Sequence, residues 1–417
     1  MHFVLKHFIP SLMLVACTIA CASPEPLVLT LEQAIVWATN SHPLVEQKRR
    51  NVEASVQDVK SAQWKWLPTL TFETSQTLGG QPQVLGNSDP SAGNIKLEQP
   101  LWSGGRITSE VDMAQARKYI AQLQLNEMQQ DLLLRVLQAF FEYQKLTARL
   151  TIAQDTVNEH QRLYELISRR QKQQVSSEAD MALAFARVQQ VLAERNRIRA
   201  QHQASRVSLE QLTGRALTEH TSLAPAPERP SVWQDELAAK EAARAASPML
   251  RRLSAETQLS EADLSLRKAQ VLPQVNLRHE RFMGATVSVP FDRTMFVLQY
   301  QPGSGVSAWP GMDAAAKRIE ASQSAYEAGL REVTEKATSQ WIEVKNYKEM
   351  LEVTSRYAAA SQEVMASYLR QYSSGRKTWL EVLNAQREWV QARNAQVDNA
   401  FAYQLALYKL DVLTGVV

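Results

Sequence analysis

Apolar positions along this chain repeat with two different periods, and the switches between them divide it into elements. Ile107, Val111, Ala114, Ala121, Leu125, Met128 and Leu132 fall in steps of four and three, the left-handed coiled-coil period, with Lys118 interrupting the stripe. No Pro or Gly occurs between Gly105 and Gly214, so nothing breaks the helical pattern before polar Gln171-Lys172-Gln173-Gln174. Ser176-Ser177 then mark a reversal, with Ser177 capping a new helix and Asp180 in its first turn. Upstream the period drops to two. Leu70, Phe72 and Leu78 alternate with Thr69, Thr71 and Glu73, which predicts a strand from Thr69 to Leu78. Asn94 to Trp102, Gln274 to Met283 and Thr294 to Tyr300 predict three more, and Gly79-Gly80-Gln81-Pro82 with Gly86-Asn87-Ser88-Asp89-Pro90 supply the first loop.

These elements come twice. Ser41-His42-Pro43-Leu44 and Leu67-Pro68-Thr69-Leu70 are separated by 25 residues from Pro to Pro, as are Ser247-Pro248-Met249 and Leu272-Pro273-Gln274-Val275. Leu212-Thr213-Gly214 recurs as Leu413-Thr414-Gly415. Three matches in register imply a duplication. The first copy, 23–224, holds a lead-in helix, a β-hairpin at about 68–102, a long helix 104–171 and a return helix 177–213. A Pro-rich linker, 225–232, leads to the second copy, 233–417, with its lead-in helix 248–272, hairpin about 273–301, long helix 313–372 and return helix 378–413.

Lengths then limit the architecture. A helix of some 65 residues is about 100 Å long at ~1.5 Å per residue, and a lead-in helix stacked on a return helix nearly matches it. No compact domain holds such a helix, so the molecule is a rod or a tube. Amphipathic strands of about ten residues suit a transmembrane barrel, yet four strands per chain fall short of the roughly eight that membrane barrels start from. Closure demands several copies, and three give twelve strands with no free sheet edge. The expected fold is therefore mixed α and β: a duplicated unit of long coiled-coil helices forming an α-barrel, joined to β-hairpins that form a trimeric 12-stranded transmembrane β-barrel.

Composition adds where such a tube would sit. Lys6 and His7 precede an apolar run, Phe8 to Ala20, and Ala20-Cys21-Ala22 has the small-x-small pattern of signal peptidase, giving a signal peptide over 1–22. Cleavage after Ala22 removes both cysteines; Leu14-Val15-Ala16-Cys17 also has the form of a lipobox, which would leave a lipidated Cys17. Either way the protein leaves the cytoplasm. Apolar residues make up 45% of the chain and charged ones 21%, with a net charge of +3. Arg and Glu are mixed throughout instead of gathered on one basic face, which argues against nucleic acid. The seven histidines, at 2, 7, 42, 160, 202, 220 and 279, have no metal-ligand spacing, and there is no phosphate loop, nucleophile elbow or HExxH. No catalytic residue, metal or cofactor is expected.

The duplicated unit and the paired Leu-Thr-Gly endings resemble the TolC family of outer-membrane channels over essentially the whole mature chain. Locally, Tyr372-Ser-Ser-Gly375-Arg376-Lys377-Thr378-Trp-Leu-Glu381-Val-Leu-Asn384-Ala385 resembles that family's second periplasmic tip, Val175-Ser-Ser-Glu-Ala-Asp180-Met its first, and Gln99-Pro100-Leu101-Trp102-Ser103-Gly104-Gly105-Arg106 its strand–helix junction. The resemblance implies a homotrimer in the outer membrane, extending into the periplasm. It implies a passive exit duct of a tripartite efflux pump or type I secretion system; the tips resemble the secretion-and-efflux branch and no lipid anchor is fixed by the sequence, which together lean slightly to type I secretion. The tips would dock a periplasmic adaptor and an inner-membrane transporter of ABC or RND type. Tyr372, Lys377 and Asp180 match residues that hold the family's periplasmic end closed; Lys377 replaces an arginine and loses its bidentate fork. Glu381 and Asn384 match two acidic rings of the constriction, so one ring of three carboxylates is expected to attract cations. At Glu381 the plainer alternative is a helix-start carboxylate favoured by the dipole. Gly375 would turn the second tip and Ser176, Ser177 and Thr378 would cap and present the docking surface. Trp102, Tyr300 and Trp309 suit either an interfacial belt or anchors in the core, and Trp64 and Trp66 are expected to pack. Two other readings stand beside this one: a periplasmic adaptor, and a structural coiled coil of the envelope.

Overall fold

The computed structural model describes residues 28–76, 91–218, 221–227, 229–230, 232–233, 235–284, 291–301 and 307–416. The signal segment with its cysteines and the Gly79–Pro90 loop lie outside these. The first copy runs β1 (Val28–Leu29), α1 (Leu31–Ser41), α2 (Pro43–Trp64), β2 (Thr69–Gln76), β3 (Ser91–Trp102), α3 (Arg106–Lys172) and α4 (Glu178–Thr213). The second runs β4 (Ser222–Leu223), α5 (Glu236–Ala246), α6 (Pro248–Gln270), β5 (Gln274–Gly284), β6 (Phe291–Gln299), α7 (Ala308–Ser373) and α8 (Trp379–Thr414).

Local chemistry explains the matched boundaries. Pro43 and Pro248 open α2 and α6 at a position where a missing N–H costs nothing, behind the caps His42 and Ser247. The two Leu-Thr-Gly motifs end α4 and α8, with Gly214 and Gly415 in the left-handed region that closes a helix. α3 has 67 residues and α7 has 66, so each is about 100 Å long.

Each strand continues its helix. The sheet order β2-β3-β5-β6, antiparallel throughout, repeats the helix order α2-α3-α6-α7. α3 touches both α2 and α4, and also α6 and α8, which in turn pack on α7. The wall is therefore α2-α3-α6-α7 beside the sheet and α4-α3-α8-α7 toward the tips. Where the short helices meet end to end, a core of Leu132, Val136, Leu137, Phe140 and Phe141 from α3 packs against Leu31, Ala34 and Ala38 of α1, Leu209 of α4, and Tyr408 and Val412 of α8.

The structure departs from the sequence reading in several places. α1 and α5, of 11 residues each, were not anticipated. They lie one residue ahead of the lead-in helices and wrap the wall at mid-height, where α1 contacts α3 and α4 and α5 contacts α7 and α8. α7 starts at Ala308 instead of 313 because Pro310 falls within its first turn, where proline is tolerated. β6 covers Phe291–Gln299 instead of 294–300. Trp64 does not pack within the protomer, being 67% exposed, and Trp66 is exposed too; α2 ends at Trp64 and turns the pair outward. The Pro-rich linker is strapped down: the Tyr408 hydroxyl donates to the Pro227 carbonyl at 2.9 Å, Gln144 donates to Ala224 at 2.7 Å, and Arg229 pairs with buried Asp411 at 3.4 Å. β1 and β4 pair in parallel beside it.

Candidate functional site: a two-faced sheet and two matched helix tips

The strand registers sort the sheet into two unlike faces. Leu70 lies beside Leu97 and Phe72 beside Ile95, while Leu277 lies beside Phe296 and Val275 beside Leu298. These residues share one face, and their large members are bare, with Phe296 74% exposed. The opposite face is charged. Lys96 registers with Glu280, and Glu280 with Arg293; one row over, Glu98 registers with Arg278. Their signs alternate along and across the strands. Arg293 Nε donates to Glu280 at 2.7 Å, Arg278 Nε to Glu98 at 3.0 Å, and Lys96 pairs with Glu73 at 3.2 Å. Glu280 is only 3% exposed. The apolar face also carries His279 beside Thr294 and the Arg281–Asp292 pair at 3.7 Å, so it is apolar in the main and not throughout. A largely apolar face beside a charge network suits a sheet with hydrocarbon on one side and water on the other. Trp102, Tyr300 and Trp309 are exposed where strands meet helices, so none anchors the core of the protomer.

At the far end, the two tips are copies of one turn. After α3 the Gln173 amide donates to Arg169, Gln174 to Gln171 and Val175 to Arg170; after α7 the Ser374 amide donates to Arg370, Gly375 to Tyr372 and Arg376 to Gln371. Both turns need a left-handed residue at the same place. The second uses Gly375, φ 75°, and the first uses Gln174, φ 61°, the one non-glycine residue with positive φ among the described residues. Both then open a helix through a capping box: Ser177 with Asp180, and Thr378 with Glu381.

The expected gate residues all lie at these tips, and within the protomer each has its own partners. Lys377 reaches Glu381 of its own helix at 2.6 Å and lies 4.4 Å over the Tyr368 ring, not Asp180. Asp180 accepts from the Ser177 amide and hydroxyl at 3.2 and 2.8 Å. Lys377, with the Thr378 amide and hydroxyl, holds the Glu381 carboxyl down at about 2. Asn384 is exposed, on a groove with His160, Arg187 and Arg387. Tyr372 is buried with Leu163, Ile167, Trp379, Val382 and Leu383, in a small apolar core that joins all four helices.

Three residues of this region were not foreseen. Arg170 lies over the Tyr372 ring, 4.8 Å from its centroid. Gln386 is fully buried and neither atom of its amide has a hydrogen-bond partner; the Trp379 indole N–H has none either. Only the fold could reveal them, since Arg170 and Tyr372 are 202 residues apart. Higher up, α3 and α8 exchange two ion pairs, Arg149 with Asp398 and Asp155 with Arg393. Burial lowers the pKa of His160 and of His202. Among the described residues no group of three His, Cys, Asp or Glu could hold a metal, and no helix is long and apolar enough to cross a membrane.

The family profile described as "Outer membrane efflux protein" matches residues 34–215 and 306–416. No curated protein is significantly similar in sequence. Among solved structures, a membrane protein from Pseudomonas aeruginosa superimposes with a TM-score of 0.82 at 20% identity, over 92% of both chains. The outer membrane protein VceC from Vibrio cholerae gives 0.78 at 15% identity, over 92% of this chain and 96% of its own. The CmeC outer membrane channel of Campylobacter jejuni gives 0.79 at 10% identity, over 92% and 85%.

Proposed function

The chain belongs to the outer membrane efflux protein family, and from that premise we propose that it is the passive outer-membrane exit duct of a tripartite efflux pump, working as a homotrimer. The observation that carries this is the sheet. β2 and β6 are its free edges and run in opposite directions, so β6 of one copy can accept β2 of the next in the same antiparallel pattern. Three copies close twelve strands, with Phe72, Phe296 and Leu298 toward lipid and the Glu280 network toward water. Trp102, Tyr300 and Trp309 then form an aromatic belt at the periplasmic interface. The helices continue from those strands as a hollow wall, and the tips dock a periplasmic adaptor and, with it, an inner-membrane transporter of ABC or RND type. The family description favours efflux over type I secretion. No residue does chemistry in this reading; energy comes from the transporter.

Substituting the two sheet faces tests it. Arg at the bilayer midplane costs about 2–4 kcal/mol per copy on a lipid face and little on a lumen face. Phe72→Arg and Phe296→Arg should abolish heat-modifiable trimers in outer-membrane fractions, and Thr71→Arg should leave them. Equal assembly of all three variants, or a wild-type protein that is monomeric and non-conducting in planar bilayers, would overturn the duct.

A further inference from the structure

We infer that Arg170 is a gate-holding residue: from the last turn of α3 it clamps Tyr372 at the end of α7 and so fastens the two helical hairpins of one protomer together at their tips. The inference rests on the duct proposed above, whose tips converge at the periplasmic end.

Two contacts make the clamp. The Arg170 guanidinium lies 4.8 Å from the centroid of the Tyr372 ring, and Nη1 donates to the Tyr372 carbonyl at 3.5 Å. That carbonyl also accepts from the Gly375 amide at 3.0 Å, the bond that closes the second tip. Arg170's own carbonyl accepts from the Val175 amide at 2.9 Å, which closes the first. One side chain therefore joins the two turns through their closing carbonyls, so neither tip moves without straining the other.

Nothing else polar does this work. Among the described residues, no other hydrogen bond or ion pair links α3 or α4 to α7 or α8 on the tip side of the Asp155–Arg393 pair. The remaining contacts there are apolar, between residues such as Ile167, Tyr372 and Val382. Those contacts are non-directional, whereas a cation over a ring face has a defined seat. Tyr372 is 6% exposed, so the seat is largely desolvated, and cation–π attraction is stronger there than in water. The Tyr372 hydroxyl has no hydrogen-bond partner among the described residues. The ring and the main chain hold the tip, not the phenol. Hairpins that must part for a conduit to open would part here, with Arg170 leaving Tyr372 first.

Single-channel recording of trimers in planar bilayers tests this with four variants. Arg170→Ala and Tyr372→Leu should raise the open-to-closed ratio about tenfold, the factor that losing a partly desolvated cation–π contact gives. Trimer yield and thermal unfolding of the Arg170→Ala protein should match wild type, whereas Tyr372→Leu, at a buried core position, is read by its gating. The milder Arg170→Gln, which fills the same space, should open the channel similarly. Tyr372→Phe should behave as wild type. Arg170→Ala and Arg170→Gln trimers with wild-type gating would overturn the clamp, as would Tyr372→Phe opening as far as Tyr372→Leu, which would give the holding role to the hydroxyl. A wild-type protein that forms no conducting trimer overturns the duct itself, and that result is distinct because it needs no variant.

Discussion

Asp180 and Glu381 stand at the same position of two copies of one turn, 201 residues apart, and each folds its carboxylate back onto its own helix cap. The sequence resemblance gave them different roles, one in a latch and the other in a charged ring. Within the protomer they do the same job, which is to satisfy the free amide at a helix start. What differs is the company: Lys377 joins Glu381, and Ser176 fills the matching place beside Asp180.

That equivalence exposes a weak point in the first tip. Gln174 holds the left-handed conformation that Gly375 holds in the second, and a side chain there costs about 1–2 kcal/mol. Gln174→Gly should raise the stability of the first tip by about 1 kcal/mol, and Gly375→Ala should lower the second by a similar amount. Hydrogen exchange at residues 171–182 and 372–383 reads both. A Gln174→Gly protein exchanging faster at its tip would show that Gln174 has a partner that offsets its strain.

Much of this architecture was legible because the duplication repeats small, specific residues. The Pro-to-Pro spacing, the Leu-Thr-Gly endings and Gly375 each mark a backbone position that only such residues fill well. α1 was hidden because one residue, His42, separates it from α2, so the pair passes for a single segment, although Thr30 and Gln33 form a capping box. The strain at Gln174 was hidden because glutamine is no turn residue. The charge network of the sheet joins Glu98 to Arg278 across 180 positions, and only a strand register brings such residues together. Arg170 is one of two adjacent arginines, and the phase of the α3 coil decides which of them meets Tyr372.

Acid should loosen the second tip through Glu381. The folded-state pKa of Glu381 lies at about 2, below its ordinary 4.5. A depressed carboxylate contributes stability that is fully present above about 4.5 and is lost as pH falls toward 2. Amides of Thr378 to Val382 should therefore lose protection progressively between those values, and Glu381→Gln should remove the dependence. Identical pH profiles for Glu381→Gln and wild type would assign the acid response elsewhere.

The same pair bears on ion selectivity. A ring of three Glu381 carboxylates would attract cations, but each carries its own Lys377 ammonium at 2.6 Å, so the ring has little net charge. Lys377→Gln should uncover it and shift the reversal potential in a salt gradient toward cations, by about 10 mV or more. Glu381→Gln should shift it the other way by leaving Lys377 alone. No shift in either variant would place this pair away from the lumen.

Gln386 gives the last test, because it separates what stabilises the tip from what the tip is for. Its side chain is wholly buried and its amide has no partner, in a helix that packs on both α3 and α7. An unmade hydrogen bond at a buried amide costs about 1–3 kcal/mol, and an apolar side chain of similar volume avoids that cost. Gln386→Leu should therefore stabilise the protein by about 1–2 kcal/mol, seen as a rise in the thermal midpoint. If the hairpins part during transport, the amide regains water only in the parted state, so the native residue favours opening and leucine opposes it. Efflux in cells should then fall although the trimer is more stable. A lower midpoint for Gln386→Leu would mean that the assembled trimer supplies the missing partner.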